Sequence, residues 1–285
     1  VPERHRAAGY PLLREALGRN AAHAGALRID HALALWRLFW IPEGLPASAG
    51  AYVKERPEEL LSVLRSLSHR NRCLIIGEDL GTIPAEVREG LMASGFYSYR
   101  VAIFERDAEG RNRRPADYPR QALVSASTHD LPTLDGFWLG VDLEVKRALA
   151  RYPDEESART ESEGRARDGA GLLAALAAEG LLPPGLDPSA GPEAWDLDAL
   201  AVAVHAFLAR SASALLLANL DDLLGEREMQ NLPGTVDEHP NWRRKGGVAL
   251  ESWAGHPRAA RVAGAIRGEG RGRPSPDSGA ATTGS

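Results

Sequence analysis

Three short apolar runs, each closed by an acid, constrain this chain more than any other feature. The runs are Ala26-Leu27-Arg28-Ile29, Cys73-Leu74-Ile75-Ile76 and Ala122-Leu123-Val124-Ser125. The segments that close them are Arg28-Ile29-Asp30-His31, Gly77-Glu78-Asp79-Leu80-Gly81 and Thr128-His129-Asp130. Short apolar runs bounded by turn residues read as buried strands, and amphipathic stretches lie between them. A carboxylate at the C-terminal end of successive buried strands is where a barrel enzyme carries its catalytic groups. Two carboxylates across a sugar bond are what glycosidic chemistry needs.

The alternation extends along the chain. Residues 12–22 have helical spacing and lead into a strand over 26–30. Residues 33–46, rich in Leu, Trp and Phe and closed by Pro42 and Pro46, read as a helical turn and loop. Residues 57–69 form an amphipathic helix: Pro57 starts it, Glu58 and Glu59 suit its N-terminus, and Leu60, Leu61, Val63, Leu64 and Leu67 make its apolar stripe. Strands follow over 72–77, 98–105, 123–127 and 213–217, with a helix over 84–94. Such a βα pattern implies a parallel sheet with covered faces. The fold class is α/β, of the (β/α)8 TIM-barrel type. A closed barrel of this type needs eight strands, so five make it incomplete. An Ala-, Glu- and Arg-rich stretch over 140–194 reads as an inserted helical subdomain. The expected division is therefore a barrel segment over 1–139, the insertion over 140–194, the last strand and a C-terminal helix over 195–263, and a disordered tail over 264–285. Because residues 10–20 already read as a helix leading into a strand, the chain is expected to be a fragment or a gene model cut at its 5′ end. The missing strands would leave sheet edges open, so aggregation or inactivity is expected when it is expressed alone.

Composition narrows the function. The 285 residues carry 34 Lys and Arg against 39 Asp and Glu, a net charge of −5. That argues against nucleic acid or an anionic membrane as the main partner. No apolar run approaches the roughly 20 residues of a membrane helix. The single cysteine, Cys73, excludes an internal disulfide and a thiolate metal cluster, reads as a buried strand residue, and fits a cytoplasmic protein.

The acids suggest divided roles. Arg28 and Asp30 are two apart in a strand, so they face the same way. A neighbouring guanidinium keeps a carboxylate ionised, as a glycosyl nucleophile must be. A plain strand-end ion pair is the structural alternative. Glu78 ends an apolar strand, where a carboxyl loses hydration and holds its proton more readily, as a general acid must. Gly77 leaves room beside it. Capping of the helix at Pro84 by Asp79 or Glu78 is the alternative. His129 and Asp130 could bond adjacent sugar hydroxyls, or Asp130 could cap the segment from Leu131-Pro132. A His–Asp–Glu metal site is disfavoured, since no His-x-x-x-His spacing accompanies the acids.

These segments resemble the signature regions of the amylomaltases, the 4-α-glucanotransferases. Leu38-Phe39-Trp40-Ile41-Pro42, Gly50-Ala51-Tyr52-Val53, Tyr97-Ser98-Tyr99-Arg100, Asn231-Leu232-Pro233-Gly234-Thr235 and Pro240-Asn241-Trp242-Arg243-Arg244-Lys245 add to the likeness, which runs from about Tyr10 to Trp253. The resemblance implies a barrel of the α-amylase clan acting on α-1,4-glucans such as maltooligosaccharides and starch- or glycogen-derived dextrins, without metal or organic cofactor. It implies Asp30 as nucleophile, Glu78 as acid and base, and Asp130 as transition-state stabiliser. Arg28, His31, His129 and Asn231 would bind substrate or hold these groups. It also implies Asp30 and Glu78 carboxyls about 5–5.5 Å apart, the retaining geometry. Trp40, Tyr52, Phe137 and Trp138 are candidate sugar-stacking platforms, or they pack the barrel top. An α-glucan hydrolase of the same clan, an inactive glucan-binding remnant and a phosphate- or nucleotide-binding domain remain as other readings. The last lacks a glycine-rich phosphate loop.

Overall fold

The computed structural model describes residues 2–272. The chain divides into two compact units. One holds the residues up to 100 with 119–123 and 213–215; the other holds 101–118, 124–212 and the described residues from 216 on.

The strands are β1 (Ala26–Ile29), β2 (Arg37–Trp40), β3 (Ala51–Lys54), β4 (Leu74–Gly77), β5 (Tyr97–Val101), β6 (Ala122–Ser125) and β7 (Leu215–Leu217). Five make one sheet in the order β1-β4-β5-β6-β7. β1 runs parallel to β4 with Ile29 opposite Gly77, and β4 runs parallel to β5. Every expected strand is present, shorter at one or both ends. The expected strand over 98–105 stops at Val101, where a 3-10 turn takes over.

In the first unit the helices are α1 (Pro2–Ala7), α2 (Pro11–Ala21), α3 (Pro57–Asn71) and α4 (Ala85–Ala93). α3 follows its sequence closely. Pro57 occupies the first turn with Glu58 and Glu59, and Arg72 ends the helix in the left-handed region at φ +50°. Leu60, Leu61, Val63, Leu64 and Leu67 are all buried, among Ile75, Val87, Leu91 and Phe96. Burial of each such side chain contributes about 2 kcal/mol. Cys73 is buried just before β4, and burial pushes its thiol up. The loop expected after Leu33 instead holds a hairpin: Arg37–Trp40 pairs antiparallel with Ala51–Lys54. Its outward-facing Phe39, Trp40 and Tyr52 are exposed.

In the second unit the helices are α5 (Leu134–Leu139), α6 (Val141–Ala148), α7 (Glu155–Ala178), α8 (Leu197–Ala209), α9 (Leu220–Leu224) and α10 (Pro257–Gly268). Asp154 caps α7 by accepting the Ser157 N–H, and Asp196 caps α8 by accepting that of Ala199. Leu172, Leu173 and Leu176 of α7 share one core with Val124, Phe137, Leu200, Val204 and Phe207. The inserted region thus helps build this unit's core. A buried ion pair supports it: Arg258 of α10, 2% exposed, forks onto Asp135 of α5 at 2.9 Å through Nη1, and reaches Asp198 of α8 at 3.1 Å. α10 continues to Gly268, past Gly264 where the tail was expected to begin, and Arg271 Nε donates to the Ala209 carbonyl at 2.7 Å. The rest of the expected tail, residues 273–285, lies outside the described residues.

Candidate active site

In the first unit the register decides the neighbours. With Ile29 opposite Gly77, the next residues on the two strands are Asp30 and Glu78. Backbone bonds carry the ladder past the strand ends: Glu78 N–H to the Ile29 carbonyl and Ala32 N–H to the Glu78 carbonyl, both 2.9 Å. Both carboxylate oxygens of Glu78 accept main-chain donors, His31 N–H at 2.9 Å and Leu80 N–H at 2.8 Å. His31 lies in the left-handed region at φ +45°, uncommon for a residue with a Cβ. Arg28 Nη2 sits 2.8 Å from Asp30 Oδ1, and three-quarters of the Asp30 side chain stays open to solvent. The Arg28 guanidinium also lies 5.7 Å from the centre of the Tyr99 ring. A Cβ on Gly77 would meet Leu91 at 3.0 Å and Ala32 at 3.3 Å, so the strand end packs closely.

Neither acid after Gly77 caps α4, whose first position follows Pro84 with no side-chain cap. Asp79 is buried and does something else. It accepts the Ser98 hydroxyl and the Tyr99 N–H at 2.9 Å, with Arg88 and Arg100 at 3.5 and 3.4 Å. It clamps the end of β4 to β5, so of two adjacent acids one is buried among side-chain partners and the other is held by main-chain N–H groups.

In the second unit Asp130 is partly exposed and held by side chains. Asn231 Nδ2 donates to its Oδ1 at 2.6 Å, and His129 Nε2 lies 3.1 Å from its Oδ2. The His129 ring lies 5.2 Å from that of Trp242. Asn231 stands on a self-bonded loop. Asn241 Oδ1 accepts the Leu232 N–H at 2.9 Å, its Nδ2 donates to Thr235 Oγ1 at 2.8 Å, and Thr235 Oγ1 donates to the Leu232 carbonyl at 2.7 Å. Asp130 does not cap the following helix. Thr133 does, accepting the Gly136 N–H at 3.0 Å. A cavity of about 410 Å³ beside Asp130 is lined by Phe104, Pro132, Phe137, Arg165 and Met229, among others.

The stacking candidates divide. Trp40 and Tyr52 are 44% and 61% exposed on the hairpin. Trp138 differs from expectation: it is 7% exposed, with its ring edge-on to Phe137 and Trp195 in the core of the second unit. It offers packing surface, not an open face, and Phe137 is buried likewise. Among the described residues no group of three or more His, Cys, Asp or Glu is placed to hold a metal ion. Among the described residues no helix is long and apolar enough to cross a membrane. The sequence reading missed Asn219 and Asp222, which bond the Ser127 carbonyl and the Leu134 N–H on either side of Asp130. A signal existed, since a polar and acidic cluster begins two residues after β7 ends.

The family model described as 4-alpha-glucanotransferase matches residues 1–249. The 4-alpha-glucanotransferase of Haemophilus influenzae is 40% identical over 240 residues, 84% of this chain and 34% of that protein. That of Mycobacterium tuberculosis is 35% identical, over 93% of this chain and 37% of its own length. The amylomaltase of Corynebacterium glutamicum superposes with a TM-score of 0.83 at 29% identity, covering 93% of this chain and 39% of that one. The amylomaltase of Streptococcus agalactiae in complex with acarbose shares the fold at a TM-score of 0.66 and 18% identity. The chain therefore spans somewhat over a third of the relatives it matches, and its fold is part of a (β/α)8 barrel with added helices. With the family model covering most of its length, the chain belongs to the 4-alpha-glucanotransferase family.

Proposed function

We propose that this chain carries the catalytic acids of a retaining 4-α-glucanotransferase acting on α-1,4-glucans in the cytoplasm. The observation that carries the reading is the β1–β4 register, which brings Asp30 and Glu78 to neighbouring strand ends while Asp79 beside them is engaged elsewhere. Asp30 attacks C1 of the donor glucose as Glu78 gives its proton to the departing glycosidic oxygen. A β-glucosyl ester on Asp30 results, and the shortened glucan leaves. Glu78 then takes the proton of an acceptor 4-hydroxyl, whose oxygen attacks C1 and frees Asp30. Two inversions give net retention. Arg28, 2.8 Å from Asp30 Oδ1, orients that carboxylate. Asp130, fixed by Asn231 and His129, accepts hydroxyls of the distorted sugar as charge develops at C1. His31 binds through the turn that also feeds Glu78, and exposed Trp40 offers a ring face to a glucan. Transfer in place of hydrolysis requires acceptor glucan to displace water at this site.

The test uses the chain alone and fused in frame behind the N-terminal remainder of the Haemophilus influenzae relative. Maltotriose should yield glucose plus longer glucans without a net rise in reducing ends. A 5-fluoroglucosyl fluoride should leave its sugar on the peptide containing Asp30, read by mass spectrometry. Rising reducing ends would establish the hydrolase instead. A sugar on a different carboxylate would remove Asp30 from its role.

A further inference from the structure

We propose that the first turn of α9 with its N-cap residue, Asn219 to Asp222, is the positioning device for Asp130. The inference rests on the glucanotransferase reading above. Three side chains of this turn fasten three different segments. Asn219 Nδ2 donates to the Ser127 carbonyl at 2.6 Å, just ahead of Thr128-His129-Asp130. Asp222 Oδ1 accepts the Leu134 N–H at 2.6 Å, at the first residue of α5 just beyond that loop. Asp221 Oδ1 accepts from Gln230 Nε2 at 3.3 Å, and Gln230 precedes the Asn231 that bonds Asp130. Both ends of the loop and the acid's own partner are thus tied to one short stretch of chain. Ser127 Oγ closes the loop by donating to the Pro132 carbonyl at 2.6 Å.

Physical cost argues that the arrangement does more than fill space. Asp222 is 1% exposed, and burying a carboxyl there is expensive. An apolar residue of similar size would pack there more cheaply, but could not accept the Leu134 N–H. Asp130, in contrast, has a side chain 46% open, so packing does not select its rotamer. Only hydrogen bonds and the path of its backbone do. A misplacement of about 1 Å at a catalytic group can cost about a hundredfold in rate. A nearly open acid on a loop therefore needs its anchor elsewhere, and this turn supplies one.

The test is made on the full chain, fused as above, with Asp222→Ala, Asp222→Asn, Asn219→Ala and Asp130→Asn. Asp222→Ala should lower kcat on maltotriose about 10- to 100-fold with KM changed less than about threefold, the cost of a lost buried bond at a positioned acid. Asp222→Asn keeps an oxygen for the Leu134 N–H and should return kcat to within about threefold of the parent. Asn219→Ala, the milder cut, should lower kcat about tenfold and covers the case in which Asp222→Ala does not fold. Amide exchange over residues 127–134 should speed up in both alanine variants and stay unchanged in α3. Unchanged exchange and kcat in Asn219→Ala and Asp222→Ala would overturn the inference, as would an Asp222→Asn as impaired as the alanine variant. Faster exchange with full turnover, in a protein that Asp130→Asn disables, would overturn positioning alone. Full turnover in Asp130→Asn would sink the role given to Asp130, and the positioning inference with it.

Discussion

The two units hold their acids in different ways. In the first, Glu78 takes both of its bonds from main-chain N–H groups, and the paired strands put Asp30 beside it. In the second, Asp130 is held by the side chain of Asn231, 101 residues away, on a loop pinned by Asn219 and Asp222 from 92 and 88 residues away. Backbone-held acids follow from strand pairing and the turns that directly follow the strands. Side-chain-held acids depend on the folding of distant segments, so single substitutions far from the chemistry can loosen them.

Activity is the sharpest way to break that comparison. Glu78→Gln and Asp130→Asn should each lower maltotriose turnover about 10³-fold or more if both units serve one reaction. A variant at Asp130 with near-parental turnover would leave the second unit a scaffold only. Stability gives the next contrast. Arg258→Ala strands Asp135 in the core and should cost roughly 3–5 kcal/mol in urea unfolding. A shift below about 1 kcal/mol would mean that the buried pair contributes little to the second unit.

Acidity offers a third test. Burial foremost, with Asp221 and Asp135 adding to it against the Leu134 N–H and Arg258, pushes the Asp222 carboxyl up to about 6. The folded protein then binds that proton more tightly than the unfolded chain does. Stability from this group is accordingly greatest below pH 4 and falls as pH rises to 6, by roughly 3 kcal/mol, then levels off. Other carboxylates add slopes of their own, so the measurement is the difference between the parent and Asp222→Asn, which should lose this fall. Parallel curves for the two would contradict it. The smallest effect is expected in the first unit. Arg6 Nε bonds both Glu59 oxygens at 2.9 and 3.0 Å on the surface, and Arg6→Ala should leave the urea midpoint unchanged. A clear drop would mean that the first unit also leans on side-chain bonds.

Much of the fold was legible because it is local. The stripe of α3 and the apolar runs of β1, β4 and β6 need only their own residues to declare themselves. The β2–β3 hairpin was not: Arg37-Leu38-Phe39-Trp40 lacks a clean alternation, and its pairing with Ala51–Lys54 closes a loop containing Pro42 and Pro46. Trp138 is a candidate sugar platform from its sequence because an aromatic face can bind a sugar ring. Its burial comes from Trp195 and Leu173, which no local pattern announces.

The sequence by itself determined which acids follow strand-forming runs, since an apolar run with a carboxylate shortly after it is written in neighbouring residues. Only the tertiary structure decided which partners hold each of them. Asp79 and Glu78 are adjacent in sequence, yet one is spent on Ser98 and Tyr99 and the other faces His31. That choice, and the bonds of Asn219 and Asp222 on either side of Asp130, rest on hydrogen bonds between segments 20 to about a hundred residues apart. Such partners have no local signature, because a hydrogen bond constrains geometry in space and leaves the intervening sequence free.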